Sequence, residues 1–186
     1  MFEKIIVKIG SSLDAAAIPY MIVGGQAVLL YGEPRLTRDV DITLGIGIDR
    51  WKEIVDLAVR AQLKLLSGKP EAFIKETYVL PVVETKSGVR VDFIFSHSRY
   101  EKQAIRRANR VKIRNTRINF AAVEDMIIHK IFAGRPRDIE DIRHIVRKNS
   151  TFDIRYIKMW LRRFESMAGQ KKLVNIFEKI VKDSQS

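Results

Sequence analysis

The chain has 186 residues, enough for one domain with an ordinary core or for a small domain carrying a helical extension. It contains no cysteine, which excludes disulfide staples and thiolate zinc sites. It also shows no apolar run of about twenty residues and no signal-peptide pattern, so a cytoplasmic protein without a membrane partner is expected. With 34 Lys and Arg against 22 Asp and Glu, the formal charge is +12; this favours a polyanionic partner such as nucleic acid, or an anionic nucleotide, although it also serves solubility.

The segment "KIGSSLDAAAI" reads as a first helix, and "PYMIV" as an extended lead into Gly24 and Gly25. "GQAVLLYG" is a short apolar helix closed by Gly32 and broken by Pro34. "RDVDITLGI" alternates: Val40 and Ile42 point one way, Asp39, Asp41 and Thr43 the other, the period of a half-buried strand. "DRWKEIVDLAVRAQLK" follows as an amphipathic helix with Asp49 as its expected cap.

"YVLPVVETKSGVRVDFIFSH" reads as a hairpin turning at Lys86, Ser87 and Gly88. Pro81 suggests an edge or a bulge in its first arm, and Val89, Val91 and Phe93 form the buried row of the second, with Asp92 on the opposite face. A basic helix is expected from Arg99 to Arg110, then a small hairpin turning at Asn115 and Thr116. From Val123 onward the pattern is helical: Val123 to Ala133, Arg137 to Arg147 after Pro136, Phe152 to Met167, and a last helix from Gln170 to about Val181. The expected organisation is therefore α/β (α+β) with a small mixed sheet over residues 1–120, followed by a helical part over residues 121–186.

The chemistry concentrates early. Asp39 and Asp41 share a strand face with their side-chain bases about 7 Å apart, and carboxylate oxygens so placed suit Mg²⁺, a hard ion often shared with substrate phosphates. Asp92 from another strand would complete a set able to hold two ions, the arrangement that serves phosphoryl-type displacements. Gly24 and Gly25 permit close ligand approach, and the helix they open offers unpaired N–H groups to a phosphate. Taken singly, the glycines are better explained by a tight turn and the aspartates by a solvated sheet face. Their order and spacing together favour chemistry. Neither a P-loop nor a dinucleotide fingerprint is present.

In this order the motifs resemble the polymerase-beta-like nucleotidyltransferase superfamily, and "GGQAVLLYGEPRLTRDVDI" is closer to its AbiEii-like toxin branch. The resemblance implies a Mg²⁺-dependent enzyme using a nucleoside triphosphate, with two ions possible. Gly24 and Gly25 would form the nucleotide loop, Asp39 and Asp41 the first metal pair, and Asp92 the third carboxylate. "AAVEDMIIHKIFAGRPRDIEDI" resembles the branch's later motifs, through Asp125, Lys130, Arg135, Arg137 and Asp138. Lys130 and Asp138 are thereby candidate catalytic residues and Lys130 a candidate phosphate ligand. On local physics, Lys130 either snorkels outward or meets an anion, and Asp138 is equally a helix-start charge that Asp141 could support. Thr37 and Arg38 either grip phosphate or, for Arg38, simply neutralise the two neighbouring aspartates.

The acceptor is read from charge. Residues 99–117 hold eight Lys and Arg against one Glu, a basic strip suited to an RNA backbone, and the resemblance implies tRNA as the acceptor and an antitoxin protein as a partner. A second basic set comprises Arg155, Lys158, Arg162, Arg163, Lys171 and Lys172, while Trp160, Phe164, Leu173 and Phe177 are spaced as core. Two other readings stay open: a transferase of the same fold that modifies an antibiotic-like small molecule or a protein hydroxyl, and a nucleotide-binding protein without turnover.

Overall fold

The computed structural model describes residues 1–33, 37–149, 151–168 and 172–185. Pro34, the expected helix breaker, Gln170, the expected start of the last helix, and Lys171 of the second basic set lie outside the described residues. The chain divides into two compact units, Met1–Gln26 with Leu36–Ala121, and Ala27–Arg35 with Ala122–Ser186.

The first unit is built on a seven-stranded mixed sheet of order β3-β4-β5-β2-β1-β7-β6. Its strands are β1 (Tyr20–Val23), β2 (Asp39–Leu44), β3 (Leu63–Leu65), β4 (Val79–Glu84), β5 (Arg90–Phe95), β6 (Asn109–Ile113) and β7 (Thr116–Phe120). β2 runs parallel to β5 and β1 parallel to β7, while the remaining pairs are antiparallel. Period two sorts the two central strands cleanly. Val40, Ile42, Leu44, Val91, Phe93 and Phe95 are buried together on one face, each contributing about 1.5–3 kcal/mol on burial, which leaves Asp39, Asp41, Arg90 and Asp92 on the other. Helices α1 (Phe2–Ala15), α3 (Trp51–Arg60), α4 (Pro70–Thr77) and α5 (Arg99–Arg106) pack on β7, β3, β4 and β2 respectively. The second unit holds α6 (Val123–Ala133), α7 (Pro136–Lys148), α8 (Ile154–Ala168) and α9 (Leu173–Gln185), with Ile127, Ile142, Ile157, Leu161 and Phe177 in its core. α2 (Gly24–Tyr31) leaves β1 directly.

Several expectations are corrected. α1 starts at Phe2, because Ile5 and Ile6 extend the apolar stripe of Ile9 and Leu13 by a turn. α3 stops at Arg60 rather than running on through Lys64: Gln62 takes a positive φ of 56°, and the next residues form β3. Asp49 sits in a 3-10 turn, Ile48–Arg50, and does not cap α3. The basic helix ends at Arg106, where Asn109 begins β6, and the hairpin tip is Arg114 and Asn115, Arg114 having a φ of 54°.

Pro81 marks neither an edge nor a bulge, since β4 lies between β3 and β5 in continuous register. Its carbonyl accepts from Leu66 N–H, so its missing N–H would face Leu66, just past the last strand residue of β3, and what proline forgoes is one bond at the strand's end rather than within the ladder.

Candidate active site

The parallel register of β2 and β5 gathers the charged face. Asp39 stands opposite Arg90 and Asp41 opposite Asp92, so residues distant in sequence form a square of three carboxylates and one guanidinium. Asp41 also faces Val23 of β1, the residue before Gly24. Gly24 has a φ of 64°, and a Cβ placed on it would lie 1.9 Å from Asp41 Oδ2. Only glycine lets that carboxylate lie against the start of α2, where the first turn's N–H groups have no helical acceptor. Gly25 follows, buried.

The neighbours of Asp39 orient it. Thr37, itself buried, donates from Oγ1 to Asp39 Oδ1 at 3.1 Å and lies 3.3 Å from the Asp39 carbonyl, to which Gln26 Nε2 also donates at 3.4 Å. Arg90 Nε donates to Asp92 Oδ1 at 2.9 Å. That bond chiefly raises the guanidinium's pKa above its ordinary value, with burial opposing and the fields of Asp92, Asp39 and Asp41 adding. Arg38 is exposed and pairs with no described residue, whereas Arg90 pairs with Asp92.

Neither Arg90 nor Gln26 was singled out by sequence. The signal for Arg90 was available in "RVD", which places it on the same strand face as Asp92, but its pairing opposite Asp39 depends on a register between distant segments.

The donor set fits a divalent cation in chemistry and backbone placement: all-oxygen carboxylates, two of them abreast on adjacent strands, with a Cβ-free cradle beside one. The side chains do not converge as they stand. Among the described residues no three His, Cys, Asp or Glu groups are set to hold a metal, and Asp92 is engaged by Arg90.

Lys130 and Asp138 belong to the second unit and are bonded to each other. Lys130 Nζ donates to Asp138 Oδ1 at 3.0 Å and to Asp141 Oδ2 at 2.6 Å, and Arg135 Nε donates to Asp138 Oδ2 at 2.6 Å. The Lys130, Asp138 and Asp141 side chains are only 6, 4 and 7% exposed. Burial pushes the Asp138 carboxyl up, but the Arg135 and Lys130 hydrogen bonds outweigh it and hold the carboxyl below the ordinary value. Asp125, fully buried, accepts from Tyr156 Oη at 2.9 Å, and Arg137 is exposed.

In the basic segment Arg99, Lys102, Arg106, Arg110, Lys112, Arg114 and Arg117 are exposed. Lys112 and Arg117 stand directly opposite one another on β6 and β7, a like-charge pair that costs stability in isolation. In the second unit Trp160, Leu173 and Phe177 are buried, as their spacing predicts.

The family described as "Nucleotidyltransferase of unknown function (DUF6036)" matches residues 2–176. The chain belongs to this family. No curated protein matches this nucleotidyltransferase by sequence. Its fold is shared by solved structures, among them the following. The crystal structure of ANT(2″)-Ia in complex with adenylyl-2″-tobramycin is 16% identical over 89% of this chain and 98% of that one, with a TM-score of 0.60. An antigenic nucleotidyltransferase-like protein from Paracoccidioides brasiliensis is 18% identical over 77% and 74%, at 0.56. The crystal structure of a "putative nucleotidyltransferase from H. pylori" is 17% identical over 98% and 91%, at 0.53. The mixed sheet flanked by helices agrees with the expected α/β class, and the enzyme is a nucleotidyltransferase by family.

Proposed function

We propose that this nucleotidyltransferase moves a nucleoside monophosphate from a triphosphate to an RNA hydroxyl, with tRNA the first acceptor to test. The observation that carries the reading is the square of Asp39, Asp41, Asp92 and Arg90 laid against Gly24. Asp39, Asp41 and Asp92 would hold the divalent ions, two being possible; when bound, such ions neutralise phosphate charge and acidify a coordinated hydroxyl. The chain's own part is positioning. The Gly24–Gly25 helix start offers N–H groups to the triphosphate, Thr37 keeps one Asp39 oxygen oriented, and Arg38 adds an exposed cation for phosphate.

The acceptor assignment rests on the exposed cations of α5, β6 and β7. Lys112 and Arg117 repel one another, and a polyanion lying across them would relieve that repulsion. An AbiEii-like toxin held by an antitoxin belongs to the same proposal, supported by the "GGQAVLLYGEPRLTRDVDI" string. Arrest of growth on expression, absent with Asp41→Asn, is the outcome expected.

The decisive experiment incubates the protein with each labelled triphosphate, Mg²⁺ and total RNA, beside the Asp39→Ala plus Asp41→Ala variant. Label in RNA only with the wild type supports the proposal. Label that passes instead to an aminoglycoside or to protein overturns the RNA acceptor and keeps the transferase. No transfer to any acceptor, with the triphosphate still bound, favours a binding protein without turnover.

A further inference from the structure

Within the charged square, three carboxylates share a strand face with one guanidinium. Asp92 is 17% exposed at its side chain, and Arg90, which neutralises it, is 53% exposed. Arg90 engages Asp92 through Nε alone, and its two terminal amino groups meet no described residue. A guanidinium held for structure presents its fork to a carboxylate in a bidentate pair; here the fork is left toward solvent. The bond also sets a positive charge on one of the two carboxylates that stand abreast, Asp41 and Asp92, where an ion shared between them would be received. A divalent cation drawn to that pair would meet the guanidinium charge and compete with it for Asp92.

We propose that Arg90 is a displaceable counter-ion for the carboxylate face: it holds Asp92 before a divalent cation arrives, then is released to carry its open fork to the triphosphate. This rests on the carboxylate reading given above. Exchange of partners would couple the two ligands. Cation binding detaches the guanidinium from Asp92, and a bound triphosphate keeps it from returning, so each ligand strengthens the other by the same factor. Arg90 is in this sense a positioning and binding residue whose effect on a lone cation is opposite in sign to its effect on the nucleotide.

The test measures Mn²⁺ binding without nucleotide, by the loss of the free-ion paramagnetic resonance signal, for wild type, Arg90→Gln, Arg90→Lys and Asp41→Asn. Removing a charge-assisted competitor should tighten Mn²⁺ about 5- to 10-fold in Arg90→Gln. The same variant should bind a non-hydrolysable triphosphate with Mg²⁺ about 10-fold more weakly, since a phosphate-gripping group is gone. Arg90→Lys, a point charge without the fork, should compete for Asp92 yet recover little triphosphate affinity. Thermal melts supply an independent measurement: Arg90→Gln should melt below wild type without cation and gain more on adding Mn²⁺. Equal or weaker Mn²⁺ binding by Arg90→Gln overturns the Arg90 assignment alone. Absence of Mn²⁺ binding by both wild type and Arg90→Gln, or binding unaltered in Asp41→Asn, overturns the carboxylate reading beneath it.

Discussion

Two charged clusters in this molecule use the same residue types to opposite ends. In the second unit Lys130 and Arg135 meet Asp138 and Asp141, two cations to two carboxylates, with three of the four side chains buried. In the first unit Asp39, Asp41 and Asp92 stand in register with Arg90, on a sheet face where Asp39 and Arg90 reach solvent. A buried cluster must balance, because an unpaired ion in a low-dielectric interior costs several kcal/mol. A cluster reached by solvent can hold an excess of one sign, and an excess is what recruits an ion of the other. On the proposed reading, the carboxylate face is the one that receives a ligand.

Breaking either side should give different signatures. Asp41→Asn is expected to give the largest effect, a fall in nucleotide transfer of about 10²–10³-fold, the scale for removing one electrostatic contributor, while the melting temperature barely moves. Lys130→Met should do the reverse in emphasis: it removes the buried cation that bonds both Asp138 and Asp141 and should cost about 3–5 kcal/mol, read as a fall in urea midpoint. A Lys130→Met protein as stable as wild type would remove the distinction between the two clusters.

Gly24→Ala tests the seam between glycine and carboxylate. The positive φ should cost about 1–3 kcal/mol, and the new methyl must displace the Asp41 carboxylate, so activity should fall further than stability accounts for. Measuring triphosphate affinity and melting temperature on the same sample separates the two.

The sign for Asp138 follows from its lowered pKa: its stabilisation is present above the unfolded-state value of about 3.9 and fades as pH falls through the lower folded value. The stability gap between wild type and Asp138→Asn, from urea melts, should therefore narrow only below about pH 4. The smallest effect concerns the basic strip. Lys112→Gln with Arg117→Gln should weaken RNA binding and reduce the slope of log affinity against log salt by about 2, one for each phosphate no longer neutralised.

Much of this was legible in sequence where the signal is local. Alternation in "RDVDITL" put Asp39 and Asp41 on one face, and the same period placed Asp92 opposite Val91 and Phe93. Gly-Gly at the end of a strand announced a helix start. What escaped was set by pairing at a distance or by short elements. The three residues of β3 are too few for a period, and without β3 Pro81 looked like an edge residue. What sets Arg90 apart is standing across from Asp39, a pairing that no local pattern carries. Lys130 was read against its helical neighbours, whereas its carboxylate partners come from the next helix.

The cations of β6 have a consequence apart from any RNA. β6 is the last strand of the sheet, and Arg110 and Lys112 stand along it. Charge on a border strand discourages a second molecule from adding its own strand there. Neutralising those side chains should therefore raise turbidity in concentrated, RNA-free solution. The strip that is proposed to hold one polymer would also keep the protein from becoming another.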